Sequence, residues 1–230
     1  MIKWKYIRVV FMWFVPKMVC AQATTDLYLQ LEYNHKSIAY PATYTSKQGD
    51  SLQISQVKWY LSHPQIGYAD GSKQAFAKTY HLYDWTKPAS HQLPLPETQN
   101  KPIAYLEFSV GIDSIPNTQG ALADELDVQN GMFWAWQSGY INVKIEGTCT
   151  QCPTHQHEFG YHLGGYKKGQ NALRTIRLPY TGKRNPILHL DLGPFFDAIS
   201  VRTKPNVQIP GQAAMQLTDV LISNFWLDEN

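Results

Sequence analysis

The sequence has no apolar run long enough to cross a bilayer. Its N-terminal run, from Val9 to Val15, is short and is interrupted by Pro16 and Lys17, which argues against a membrane anchor. A clustered excess of basic residues is also missing: 20 Lys and Arg stand against 18 Asp and Glu, spread along the chain. Phosphate backbones are bound by concentrated positive charge, so nucleic acid is excluded as a ligand class. There is no G-x-S-x-G elbow, no H-E-x-x-H pair and no glycine-rich phosphate loop, which removes the commonest hydrolase and nucleotide-dependent chemistries. Asp113, Asp124, Glu125, Asp127 and Glu146 offer carboxylates for a hydrolytic pair, but turns and solvated strand faces account for each, and the chain is expected not to be an enzyme. Repeats and low-complexity tracts are absent too.

What the chain does have is apolar and aromatic mass. With 230 residues, 43% hydrophobic and 13% aromatic, it can bury one full core. Lys3, Lys5 and Arg8 precede the apolar run, and Val19-Cys20-Ala21-Gln22-Ala23 follows it. This is the layout of a secretory signal peptide cleaved after Ala21 or Ala23. Cys20 raises lipidation as an alternative, but Lys17-Met18-Val19 lacks the small residues such a site requires. Residues 1–23 are therefore expected to be removed, leaving one domain over 24–230 in the periplasm or outside the cell. Cleavage takes away four positive charges and no negative ones, moving the formal net charge from +2 to −2.

Strand periodicity dominates. DLYLQLEY, SLQISQVKWYLS, IAYLEFSVGI, YINVKIEG, EFGYHLGG, ALRTIRLPY, ILHLDLG and SVRTKPNVQI alternate apolar with polar residues between Gly, Pro, Asn and Ser clusters. Convincing amphipathic helices are lacking, with short turns expected only at ALADELD and FFDAIS. The pattern predicts an all-β domain of two antiparallel sheets packed as a sandwich, Greek-key or immunoglobulin-like. Residues 84–101 carry three prolines and are expected to form a surface connection between strands.

The densest strip of unusual residues lies at 131–164: GMFWAWQSGYINVKIEG, then TCTQCPTHQHE, then FGYHLGG. Trp134 and Trp136 are two apart, so on an extended chain they share a face with Met132, and a hairpin would bring His162 close to them. Together with LEYNHKSIAY, GDSLQISQVKWYLSHPQIG, YHLYDW and YLEFSVGIDSIPNTQGAL, in the same order from about Leu27 to Leu178, this strip closely resembles the MbnP-like family of secreted copper-associated proteins. The resemblance implies a β-sandwich, copper, as Cu(I) or Cu(II), as the metal, and a partner dihaem cytochrome c peroxidase-like enzyme of the MauG/MbnH type. It further implies oxidation of a tryptophan to kynurenine, for which Trp134 and Trp136 are the candidates. The alternative is that W-x-W simply packs in a core or interface.

Neutral imidazole binds copper or zinc, and four of the eight histidines are candidate ligands. His35 and His162 fall in the family-like blocks, while His63 and His81 sit beside aromatics; for each, an ordinary structural histidine is the competing reading. Cys149 and Cys152 are the only cysteines left after cleavage, and in an oxidising compartment a disulfide between them is the default. Half of a metal site with His155 and His157, or a redox dithiol, are the alternatives. A second functional class also stands: a non-catalytic binding module that presents Trp134, Trp136, Tyr140 and Tyr161 as an aromatic platform to a sugar or a partner protein.

Overall fold

The computed structural model describes residues 25–98, 101–120, 122–136 and 139–229. The expected signal peptide and Cys20 lie outside the described residues. Among the described residues no helix is long and apolar enough to cross a membrane.

Alternation sets the first strand. Leu27, Leu29 and Leu31 of β1 (Asp26–Tyr33) all point to one side and are buried, which sends Gln30 and Glu32 to the other. The remaining strands are β2 (Lys36–Ser37), β3 (Tyr44–Thr45), β4 (Ser51–Tyr68), β5 (Lys73–Ala75), β6 (Tyr80–Asp84), β7 (Gln92–Pro94) and β8 (Ile103–Val110). They continue with β9 (Ile141–Cys149), β10 (Glu158–Gly164), β11 (Arg174–Pro179), β12 (Ile187–Asp191), β13 (Asn206–Val207) and β14 (Phe225–Asp228). Among the described residues three α-helices interrupt them: α1 (Ser114–Gln119), α2 (Gly193–Ala198) and α3 (Gln212–Ile222).

The strands form two sheets. Sheet A runs β14-β12-β1-β2 with β7 also on β1; sheet B runs β11-β8-β4-β9-β10-β13, with β3, β5 and β6 also on β4. The 18-residue β4 is the spine of sheet B. It pairs with β9 through Leu52–Trp59 and with β8 through Leu61–Tyr68, so one strand serves two neighbourhoods and the sheet curls. The two sheets share a core in which Trp59 of β4 stacks on Tyr83 at 3.7 Å and meets Phe225 of β14 edge-on at 6.0 Å.

The all-β two-sheet expectation holds, with informative differences. Among the described strand pairings two are parallel, β1 with β12 and β10 with β13, where the expectation was of antiparallel sheets throughout. α3 is a true amphipathic helix that the strand-dominated reading passed over. Ala214, Leu217, Thr218 and Leu221 are its buried residues, at the spacing of one helical face. The proline-rich connection is also more ordered than expected: β7 adds to β1, with Leu93 buried.

Candidate functional site

The tryptophan strip is a turn and not a strand. Phe133 bridges to Tyr140, the Trp134 amide donates to Gly139 O at 2.8 Å, and the Ile141 amide donates to Met132 O at 2.8 Å. These bonds pair the backbone of Met132 and Trp134 with that of Gly139 and Ile141 ahead of β9, and strand alternation does not extend to Trp136. The expected common face for the two indoles is therefore wrong: Trp134 is buried at 5% exposure, whereas Trp136 is 64% exposed. Their rings remain neighbours, with centroids 6.2 Å apart and tilted by 55°. Met132 and Trp134 belong to a small second core with Tyr60, Leu82 and Tyr140.

Trp134 reaches the strand that carries His162. A Cβ at Gly164 would lie 2.9 Å from two carbons of the Trp134 ring and 2.7 Å from Tyr140 O, so only glycine lets the indole sit on β10. Tyr161 and Leu163 of that strand are fully buried in the main core. By alternation His162 faces the other way, and past a register shift between Leu163 and Gly164 the strand meets the Trp134 ring at Gly164. The hairpin that carries His162 is β9–β10, with His162 opposite Lys144. Its Nε2 lies 2.6 Å from Glu146 Oε1, and Lys144 Nζ lies 3.5 Å from the same oxygen. The hydrogen bond from His162, aided by Lys144, holds the Glu146 carboxyl below its ordinary pKa. Ionised Glu146 can only accept, so Nε2 of His162 carries the proton and a neutral ring keeps its lone pair on Nδ1. The indole Nε1 of Trp134 is buried without a hydrogen-bond partner. A shallow cleft beside it is lined by Trp134, Tyr140, Tyr166, Lys167, Gln170 and Pro210.

The other sequence-predicted ligands lie elsewhere. His63, at φ 50°, has Nε2 2.7 Å from Asp113 Oδ2, an oxygen that also accepts from the Tyr80 hydroxyl at 2.6 Å. Partial burial of Asp113 is outweighed by these two hydrogen bonds, and its carboxyl is held below the ordinary range. His81 is buried; its Nε2–H donates to Ser90 O at 2.8 Å, and burial pushes its pKa down. His35 is the only one of the four in a three-donor group: an atom each of Glu32, His35 and Asp191 lie within 4.8 Å of one another, the one such group among the described residues. His63, His81 and His162 do not converge on a shared centre of this kind. Glu32 and Asp191 were missed from the sequence, although each breaks an otherwise leucine-rich strand at a position that the fold buries.

Two further expectations change. Cys149 and Cys152 are free thiols, both buried, and the expected disulfide is not formed in the structure. The Cys152 amide donates to Cys149 O at 2.9 Å, so a backbone turn closes the C-x-x-C. Burial first, and the neighbouring Cys149 second, push the Cys152 thiol up to about 12, the opposite of what a redox dithiol requires. The aromatic platform fails as well, because Tyr140 and Tyr161 are buried with Trp134 and only Trp136 is exposed.

Comparison with known proteins agrees with this architecture. No curated protein matches the chain. A solved structure, MbnP from Methylosinus trichosporium, superposes with a TM-score of 0.53 at 15% identity, covering 75% of this chain and 77% of that one, a likeness of fold. The MbnP family model matches residues 22–210, a span that includes every strand of sheet B, all of sheet A except β14, and both Trp134 and His162, and the chain belongs to the MbnP family.

Proposed function

We propose that the protein is an exported copper-binding protein whose site is completed when Trp134 is oxidised to kynurenine by a dihaem peroxidase-like partner. The observation that carries this reading is the buried Trp134 indole, its N–H unpartnered, seated on Gly164 of the His162 strand and in ring contact with the exposed Trp136. Membership of the MbnP family supports it.

The donor chemistry fits copper. His162 donates one ring nitrogen to a carboxylate, the arrangement that orients a metal-binding imidazole and raises its basicity. Its Nδ1 is the nitrogen left to coordinate. An intact indole has no lone pair to offer a metal. Oxidation breaks the C2–C3 bond of the five-membered ring and adds two oxygen atoms, and hydrolysis of the resulting formyl group releases formate. The product carries an aryl ketone and a free aniline, both new donors. Hydrogen peroxide or dioxygen, activated at the partner's haem, supplies the oxygen and takes up the electrons. Trp136 is the exposed ring through which an oxidising equivalent passes inward to Trp134. His162 Nδ1 and the aniline nitrogen of the oxidised Trp134 would hold copper(I).

His162→Ala tests the ligand assignment. In protein matured by its native host, copper(I) content is expected to fall from stoichiometric to near background, while His63→Ala and His81→Ala keep it. Full copper in His162→Ala would refute the assignment.

A further inference from the structure

Sheet A carries a second set of donors that the tryptophan strip does not use. β1 and β12 run in parallel register with Glu32 opposite Asp191 and Gln30 opposite His189. Because Leu31, Leu188 and Leu190 fill the core, these polar residues project from the other face. They would be solvated there, yet Glu32 is 4%, His189 5% and Asp191 2% exposed.

Two coverings explain the burial. Trp226 of β14 lies flat on the His189 ring, 3.7 Å away and within 5° of parallel. The turn after β1 folds over Asp191 with Asn34 and His35 both in the left-handed region, at φ 51° and 59°. Asp191 Oδ1 accepts from the amides of Asn34 and Gly193, each at 2.8 Å, and Oδ2 accepts from the His35 amide at 2.9 Å. The turn sits so close that a Cβ on Gly193 would fall 2.1 Å from Asn34 Oδ1.

This packing aims three donors at one point. His35 Nδ1 stands 3.7 Å from Asp191 Oδ2, and a Glu32 oxygen completes the trio within 4.8 Å. Glu32 is held from behind, since its Oε1 accepts from His189 Nδ1 at 2.8 Å and from Gln30 Nε2 at 3.0 Å. Its Oε2 is buried with no partner. A carboxylate oxygen withdrawn from water and left without a donor is unfavourable unless something positive sits against it.

We infer that Glu32, His35 and Asp191 form a binding site for a divalent transition-metal cation, with His189 as a positioning residue. Two carboxylates and one imidazole are a nitrogen and oxygen set that suits zinc(II) or copper(II) and lacks the soft donors that select copper(I). The side chain of His35 is 77% exposed, which opens the site to solvent. His189, bonded to Glu32 and clamped by Trp226, fixes the glutamate as outer partners fix a metal ligand.

Zinc titration by calorimetry on the mature chain, made without an oxidising partner and shown by mass to carry intact tryptophans, tests this. The site does not depend on Trp134, so a failed kynurenine reading leaves the test untouched. One zinc per chain is expected. His35→Gly, which tolerates the positive φ, and Glu32→Gln are each expected to weaken binding by about 10–100-fold or more, on the scale known for perturbed metal sites. His63→Ala is expected to leave it unchanged. Absence of zinc binding, or wild-type affinity in His35→Gly, would overturn the inference. His35→Gly removes an exposed side chain, so it stays informative even where Glu32→Gln disturbs the fold.

Discussion

Trp134→Phe is expected to abolish copper loading at the strip while leaving a folded protein. Phenylalanine keeps an apolar ring over Gly164 and among Met132, Tyr60 and Tyr140, so the small core remains filled. It removes the five-membered ring whose opening creates the ketone and the aniline. It also removes a buried side-chain N–H that lacks an acceptor, a group whose burial is unfavourable. Copper(I) content after maturation should drop to background, and the thermal midpoint should stay close to that of the parent. Trp136→Phe gives a different result under the same account. Conversion slows because the exposed ring that meets the partner is less readily oxidised, but the product still forms at Trp134. Normal copper loading in Trp134→Phe would contradict the proposed maturation.

The largest effect on stability is expected from Trp59→Ala. Trp59 is fully buried, stacks on Tyr83 at 3.7 Å and touches Phe225 at 6.0 Å, so one side chain ties the spine of sheet B to sheet A. Truncation loses the transfer free energy of a large ring and leaves a cavity that two sheets cannot easily close. A loss of about 3–5 kcal/mol is expected, measured by denaturant unfolding. A loss below about 1 kcal/mol would mean that the intersheet contact is not as described.

Much of the fold was legible because period-two patterning leaves little ambiguity where one face must be buried. β1, β4, β8, β9, β10 and β12 all fall where alternation placed them. α3 was also legible in principle, since its buried residues recur at helical spacing, but Thr218 and Val220 are β-branched and dilute the signal. The parallel pairing of β1 with β12 was not legible, because strand order depends on contacts that alternation does not encode.

The candidate sites divide in the same way. The Trp134–Gly164–His162 neighbourhood was visible as a strip, since its parts lie within about one hairpin of each other. The opposite fates of the two indoles were not, because a strand and a tight turn are both compatible with W-x-W. Glu32 and His189 are 157 residues apart, and only the register of two parallel strands brings them together. His35 was identified without its partners for the same reason. The C-x-x-C shows the converse: spacing suggested a bridge, and burial within a backbone turn is what the fold adds.

The most direct test of the central claim is peptide mapping by mass spectrometry, with copper analysis, on protein purified from its native host grown with copper. The account predicts the indole-to-kynurenine mass shift on Trp134, an unaltered Trp136, and copper in proportion to the modified fraction. Intact Trp134 in copper-loaded protein, or modification confined to Trp136, would contradict it.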